Sequence, residues 1–259
     1  LIDQATRECL ERADIRPTEI DHIFCVTTTG LTTPSLDAQL CARLGFRPDV
    51  RRFPLFGLGC AAGAGALVRA TDILRAYPTH RALVLSVELC SLVFSPTAES
   101  ATDLIGVALF GDGGAAVLVS GDDVEGDGPT IVDTRTHLFH EAPDLVLSRG
   151  VPEFVATRVK PVVEQFLDEQ GLTVGDLQHH VLHPGGAKVM STYRSAFGLE
   201  EHALRHAREA MRCYGNQSSA SVLFMLHDLV ASEQPVPGDR GLLMALGPGF
   251  AAEMLTLAW

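Results

Sequence analysis

Apolar residues at Ile2, Ala5, Cys9 and Leu10 recur at helical spacing, and Ile15-Arg16-Pro17-Thr18 ends the pattern. Ile20 to Thr29 reads as a buried strand that closes in a run of threonines. Ser35 to Leu44 predicts a helix with Ser35 as its N-cap after Pro34. Arg52 to Leu58 reads as a short strand running into Gly59-Cys60, and small residues then dominate from Ala61 to Tyr77, as in a helix packed close to its neighbours. Strands follow at Ala82 to Glu88 and Ala115 to Ser120. The polar, glycine-rich stretch from Gly121 to Pro129 predicts a junction that divides the chain into residues 1–121 and 122–259. Beyond it come a strand (Thr130 to Thr136), a helix (Pro152 to Gln170), a strand (His180 to His183), a helix (Ala187 to Phe197), a long helix (Ser218 to Ala231) and a last pair of strands. Strands alternating with helices predict an α/β fold with helix-covered sheets. The halves echo each other, since each carries a later glycine-rich turn: Phe110-Gly111-Asp112-Gly113-Gly114 in one, Gly247-Pro248-Gly249-Phe250 in the other.

Composition narrows the function classes. The 259 residues carry a formal net charge of −12, with Lys160 and Lys188 as the only lysines. No basic cluster is present to neutralise a run of phosphates, which argues against nucleic-acid binding. Cys9, Cys25, Cys41, Cys60, Cys90 and Cys213 form no CxxC pair and no metal-ligand spacing, so reduced thiols in the cytoplasm are expected. No apolar run is long enough to span a bilayer, so no transmembrane segment is expected. The opening residues already read as helix, which leads us to expect that the chain begins inside a longer protein.

Three residues stand out as candidate chemistry. Cys60 lies where a strand meets a helix, in Leu58-Gly59-Cys60-Ala61-Ala62-Gly63-Ala64-Gly65-Ala66. A helix N-terminus favours a thiolate, so a lowered pKa is expected there. A lone cysteine is more often a small buried hydrophobe; the flanking glycines shift the balance. His183 ends an apolar strand before Pro184-Gly185-Gly186, which aims it at a fixed point, where it can pair with a thiol or polarise a carbonyl. A turn-capping histidine is the plainer alternative, and it suits His179 and His180. Asn216, in Cys213-Tyr214-Gly215-Asn216-Gln217-Ser218-Ser219, is either a helix N-cap or an amide donor to a developing oxyanion.

Taken together, Gly59-Cys60, Ala108-Leu109-Phe110-Gly111-Asp112-Gly113, His183-Pro184-Gly185-Gly186, Tyr214-Gly215-Asn216-Gln217-Ser218-Ser219 and Gly247-Pro248-Gly249 resemble, in order, the signature blocks of type III polyketide synthases, the chalcone- and stilbene-synthase superfamily. The form Pro54-Leu55-Phe56-Gly57-Leu58-Gly59-Cys60 resembles bacterial members. The resemblance implies an α/β thiolase fold of five αβαβα layers, a homodimer, and decarboxylative condensation of malonyl-CoA onto an acyl-CoA starter, with no metal or redox cofactor. It makes Cys60 the nucleophile, gives His183 and Asn216 decarboxylation and enolate stabilisation, and makes Phe110 the gatekeeper between CoA tunnel and cavity. It places Thr28, Thr32, Thr33, Cys90, Val93, Ser218, Gly247 and Pro248 around the cavity or its dimer-facing wall, and Gly185, Gly186 and Lys188 at the CoA tunnel. Small residues at Thr32 and Cys90 predict room for a long acyl starter and a pyrone or resorcinol-type product. Two departures are visible: a Gly-Trp-Asp core is missing between His140 and Glu141, and Ala245-Leu246-Gly247-Pro248-Gly249 replaces the plant Gly-Phe-Gly-Pro-Gly. The nearest alternative is a ketoacyl synthase III-like enzyme, which shares the fold and triad and draws on acyl carrier protein.

Overall fold

The computed structural model describes residues 1–93, 101–142, 150–232 and 235–259. Pro143 and Asp144, a few residues beyond the missing Gly-Trp-Asp core between His140 and Glu141, lie outside the described residues. The first half comprises α1 (Ile2–Arg12), β1 (His22–Val26), α2 (Leu36–Leu44), β2 (Arg51–Leu55), α3 (Ala62–Ala76), β3 (Arg81–Glu88), α4 (Ala101–Leu109) and β4 (Gly113–Ser120). The second opens with β5 (Thr130–Leu138) and α5 (Val151–Phe154), which passes through a π-helical stretch (Val155–Val159) into α6 (Lys160–Asp168). β6 (His179–Leu182), α7 (Ala187–Phe197), α8 (Arg205–Tyr214), α9 (Ser221–Ala231), β7 (Arg240–Gly247) and β8 (Ala251–Ala258) complete it.

The strands form two four-stranded sheets, ordered β2-β1-β3-β4 and β5-β8-β7-β6. The echo between the halves is a topological one. In the first sheet β1 pairs parallel with β3, and β3 pairs antiparallel with β4. In the second β6 pairs parallel with β7, and β7 pairs antiparallel with β8. The glycine-rich turns noted above lead into β4 and β8.

Side-chain alternation explains the layering. Ile23, Cys25, Leu83 and Leu85 pack into one cluster with Leu10 of α1 and Leu40 of α2. Phe24, Val26, Ala82 and Val84 face the other way, into the main core with Ala66, Leu67 and Ala70 of α3 and Val222 of α9. A strand period of two thus feeds both faces of the first sheet, which is why β1 and β3 read as continuous apolar runs. α3 touches strands of both sheets, and α6 covers the outer face of the second, where Gln170 just beyond it accepts a hydrogen bond from Thr256 of β8. The order of layers is therefore helix, sheet, helix, sheet, helix.

A buried carboxylate of β8 faces the central helix layer, where it pairs with a part-exposed arginine. Glu253 of β8, 1% exposed, accepts from Arg69 of α3 at 3.0 Å and from Thr136 of β5 at 2.6 Å. Both carboxylate oxygens are satisfied, the condition under which a buried charge is tolerated.

Some elements depart from the sequence expectation. β1 stops at Val26, because Thr28 and Thr29 give their N–H groups to the Glu88 side chain instead of a neighbouring strand. Ser35 occupies the N-cap position of α2 without making a side-chain capping bond. The helix expected from Ser218 begins at Ser221, after a 3-10 turn over Ser218–Ala220. α8 was not expected: its buried stripe consists of Ala207 and Ala210, too small to stand out among Arg205, Arg208, Glu209 and Arg212.

Candidate active site

Cys60, His183 and Asn216 come from three separate connections and converge at the ends of β2, β6 and α8. Cys60 sits in a 3-10 turn, Gly59–Ala61, that leads directly into α3. Close packing brings it to the other half. A Cβ on Gly63 would lie 2.1 Å from the Ser219 carbonyl oxygen, and one on Gly59 would lie 2.5 Å from the Pro248 ring. The small-residue helix is what lets the Asn216 turn approach the cysteine.

His183 follows β6 directly and is 3% exposed. Its backbone N–H bonds to Met244 of β7 at 2.8 Å, and its Nδ1 accepts the Gly185 N–H at 3.2 Å. That bond assigns the ring hydrogen of the neutral form to Nε2. Nε2 itself is buried with no partner. A buried donor without an acceptor is unusual, and here it is available to a substrate oxygen. The turn depends on Gly185 and Gly186, with φ of 49° and 146°, where side-chain-bearing residues are strained.

Asn216 is 1% exposed. Its Oδ1 accepts the Ser218 N–H at 2.8 Å and lies 3.4 Å from the Ser221 hydroxyl. With the oxygen so engaged, the amide nitrogen is left to donate towards the Cys60 sulfur, and His183 also lies beside Asn216. Ser218, held at φ 51°, places its hydroxyl 3.7 Å from the Cys60 sulfur.

Electrostatics correct one expectation. Burial pushes the Cys60 thiol up to about 11, and the Glu88 charge adds to the rise; hydrogen bonds from Ser218 and Asn216 oppose it. A helix N-terminus was expected to lower this pKa. Cys60 instead lies in the turn before α3, and desolvation outweighs the dipole. Burial likewise holds His183 down at about 4, against the favourable contacts of Asn216 and Ser218. Both shifts favour the neutral forms, thiol and imidazole, in the resting pair.

The other expected residues divide into two groups. Phe110 is half-buried and bridges Asn216 through the backbone. Ser218 and Gly247 are buried, while Thr28, Cys90 and Pro248 are half-buried. Thr28 Oγ1 is a second buried polar atom with no partner. Thr32, Thr33 and Val93 are exposed, so within one chain they wall no closed space. Gly185 and Gly186 are half-buried in the His183 turn, and Lys188 is exposed in the first turn of α7. His179 and His180 are strand residues: His179 bonds Asp239 at 2.7 Å, and both ring nitrogens of His180 are buried without partners.

Sequence reading passed over Glu88. It is fully buried and accepts from Thr28 N–H at 2.9 Å, Thr29 N–H at 3.1 Å, the Thr29 hydroxyl at 2.9 Å, and the Ser219 hydroxyl. A carboxylate closing the apolar run Ala82 to Val87 was the available signal. All six cysteines are free. Among the described residues there is no group of three His, Cys, Asp or Glu side chains placed to hold a metal ion, and no helix long and apolar enough to cross a membrane.

Five alternating layers around a cysteine-histidine-asparagine cluster define a condensing enzyme of the thiolase-fold class, and comparison with known proteins makes the class specific. The crystal structure of 1,3,6,8-tetrahydroxynaphthalene synthase from Streptomyces coelicolor, a bacterial type III polyketide synthase, superposes with a TM-score of 0.95 at 33% identity, covering 100% of this chain and 77% of that one. Residues 1–123 match the N-terminal domain of chalcone and stilbene synthases, and residues 129–258 match their C-terminal domain. The chain belongs to the chalcone and stilbene synthase family. It is a type III polyketide synthase, an acyltransferase-type condensing enzyme. The 1,3,6,8-tetrahydroxynaphthalene synthase of Streptomyces peucetius is 39% identical over 274 residues, covering 100% of this chain and 72% of that protein. The 3,5-dihydroxyphenylacetyl-CoA synthase of Amycolatopsis orientalis is 32% identical over 270 residues, covering 99% and 73%. These relatives give the ketoacyl synthase III alternative no support.

Proposed function

We propose that the chain extends an acyl group held as a thioester on Cys60 by repeated decarboxylative condensation with malonyl-CoA, and then cyclises the product. The observation that carries this reading is the buried, unpartnered Nε2 of His183 beside the Asn216 amide and Cys60. In the first step the Cys60 sulfur attacks the starter carbonyl, a new C–S bond forms, and CoA leaves with the thiol proton. Taking that proton at Nε2 requires the ring hydrogen to move to Nδ1, with release of the Gly185 N–H. Malonyl-CoA then loses CO2, and the electron pair of the broken bond moves onto the thioester oxygen. Nε2–H of His183 and the Asn216 amide are the donors that meet this charge. The enolate carbon attacks the acyl carbonyl, frees Cys60, and leaves the extended chain on CoA for another round. No redox or metal group has a part in these steps, and the substrates are malonyl-CoA and acyl-CoA. Phe110 stands at the CoA entrance, with Gly185, Gly186 and Lys188 along it.

Two product readings have support. The small side chains at Thr32 and Cys90 favour a long acyl starter and a pyrone or resorcinol-type product. The 39% identity to the Streptomyces peucetius enzyme favours 1,3,6,8-tetrahydroxynaphthalene. Product analysis with malonyl-CoA alone, and with acetyl-, hexanoyl- and lauroyl-CoA added, separates them. Cys60→Ala must abolish products in either case; turnover by that variant would defeat both.

A homodimer is supported by an exposed apolar face. Leu104, Ile105 and Val107 of α4 are 57%, 59% and 46% exposed, and Leu92 and Val93 are 73% and 61% exposed. The Ser91 backbone and hydroxyl bond Asp112 at 2.8 and 2.6 Å, tying the turn that carries Leu92 and Val93 to the end of α4. A second copy seated there would cover this face and close the side of the cavity lined by Thr32, Thr33 and Val93. Light scattering that returned a monomer mass would refute it. Six free cysteines fit a reducing compartment, and we place the protein in the cytoplasm.

A further inference from the structure

Glu88 ends β3, the strand between β1 and β4, and among the described residues no salt bridge pairs with it. Every hydrogen bond it makes is accepted, none donated: from Thr28 N–H, Thr29 N–H and the Thr29 hydroxyl on Oε2, and from the Ser219 hydroxyl on Oε1. The donor order is fixed by this. Since Ser219 gives its hydrogen to Glu88, Ser86 must give its own to Ser219, 2.8 Å away. Thr29, having donated to Glu88, accepts the Leu89 N–H at 2.7 Å. One carboxylate thus anchors two connections, the threonine loop after β1 and the turn after Asn216.

The second anchor reaches the reacting atoms. The orientation of the Asn216 amide is set by what its oxygen accepts, namely the Ser218 N–H and the Ser221 hydroxyl. Both donors belong to the 3-10 turn and helix start whose middle residue, Ser219, is tied to Glu88. The turn needs a tie because Ser218 is a non-glycine residue at φ 51°. Without one, relaxation of Ser218 would carry its N–H away from Asn216 and let the amide rotate.

We propose that Glu88, acting through Ser219, is a positioning residue that holds the Asn216 amide toward Cys60 and His183 for the decarboxylation step. This rests on the reading of Cys60, His183 and Asn216 given above. The Glu88 charge also raises the Cys60 thiol, but decarboxylation does not use that thiolate. Glu88 touches no group that meets the thioester oxygen, so its contribution to this step passes through Asn216 and vanishes when Asn216 is gone.

A double-mutant cycle tests that dependence. Malonyl-CoA decarboxylation is measured for wild type, Ser219→Ala, Glu88→Ala, Asn216→Ala and the two doubles with Asn216→Ala. Ser219→Ala removes the tie, together with the Ser86 bond to the same hydroxyl, and leaves the threonine loop anchored, so it remains informative even if Glu88→Ala folds poorly. Either single variant is expected to lose about 10–10²-fold in kcat, the scale of a small misplacement of a reacting group, with KM little changed. Each double should then be no slower than Asn216→Ala alone. Glu88→Gln should recover part of the rate: its amide oxygen can accept from Thr28 and Thr29, and its NH2 can donate to Ser219, which then donates to Ser86. Losses that multiply in the doubles, or a Ser219→Ala variant with wild-type kcat, overturn the proposal. A wild-type-like Asn216→Ala variant overturns the catalytic assignment instead, and the positioning role falls with it.

Discussion

Phe110 and Asn216 are locked together through their backbones: Leu109 C=O accepts the Asn216 N–H at 2.8 Å, and the Gly111 N–H donates to Asn216 C=O at 3.0 Å. This isolated parallel bridge joins the first half of the chain to the second at the catalytic asparagine. It also leaves no room for a side chain, since a Cβ on Gly111 would lie 2.4 Å from the Tyr214 carbonyl oxygen. The proposed gatekeeper and the proposed oxyanion donor are thus held in fixed relation. Shifting one shifts the other.

That relation bears on how the catalytic work divides. Asn216→Ala and His183→Ala should each lower malonyl-CoA decarboxylation by about 10²–10³, the scale of one lost oxyanion donor. Acylation of Cys60 by a starter should survive better in Asn216→Ala, because only the imidazole can take the thiol proton. Mass spectrometry of the intact protein after a short exposure to starter CoA measures the acylation. Equal loss of loading in both variants would contradict the division.

Gly63→Ala tests the close approach of α3 to the Asn216 turn. The added methyl would meet a backbone oxygen at 2.1 Å, and neither partner is a flexible side chain. Overpacking of this kind costs about 1–3 kcal/mol, or roughly 2–4 °C in Tm per kcal/mol for a chain of this size. Decarboxylation should fall further than stability predicts, because the displaced carbonyl belongs to Ser219, two residues before the helix that carries Ser221. A variant with unchanged Tm and activity would show that the approach is looser than described.

How much of this was legible in the sequence depends on the residue. Cys60, His183 and Asn216 were visible because each sits in a turn marked by glycines, and local backbone chemistry leaves a local signature. The strands β1 and β3 were visible because both faces are buried. Glu88 was not, because its three partner residues lie in the threonine loop and in the Ser219 turn, about 60 and 131 residues away in sequence. The state of the Cys60 thiol was misjudged for a related reason: a helix start can be read from sequence, whereas desolvation depends on everything packed around it. α8 was missed because alanine is a poor marker of a buried face.

Buried histidines predict a loss of stability in mild acid. Burial lowers both His180 and His183 to about 4, against 6.5 when exposed. Between those values the unfolded chain binds more protons than the folded one, so stability rises with pH and is lost as pH falls from 6.5 towards 4. At pH 5 each group should cost roughly 2 kcal/mol relative to pH 7 or above. Urea unfolding at pH 7.5 and pH 5 measures the difference, and His180→Phe should remove part of it. A midpoint that does not move between the two pH values would refute the argument.

The last prediction concerns starter length at Cys90. This residue is half-buried in the turn Cys90–Val93, just after the Glu88 anchor and close enough to Cys60 for a thiolate there to disfavour ionisation of Cys90. The turn is pinned on its far side by Ser91 to Asp112, so a larger side chain at Cys90 cannot swing the backbone away. Cys90→Phe replaces a thiol with an aromatic ring beside the proposed acyl site, and the ring must occupy whatever space a long chain would use. Initial rates with acetyl-, hexanoyl- and lauroyl-CoA should therefore separate in the variant: acetyl near wild type, hexanoyl reduced, lauroyl lost. Malonyl-CoA decarboxylation without starter should be unchanged, because His183 and Asn216 are untouched. If the wild type ignores lauroyl-CoA, or the variant loses all three starters equally, no acyl tunnel passes Cys90. The product reading would then shift to 1,3,6,8-tetrahydroxynaphthalene, with the condensation chemistry at Cys60 unaltered.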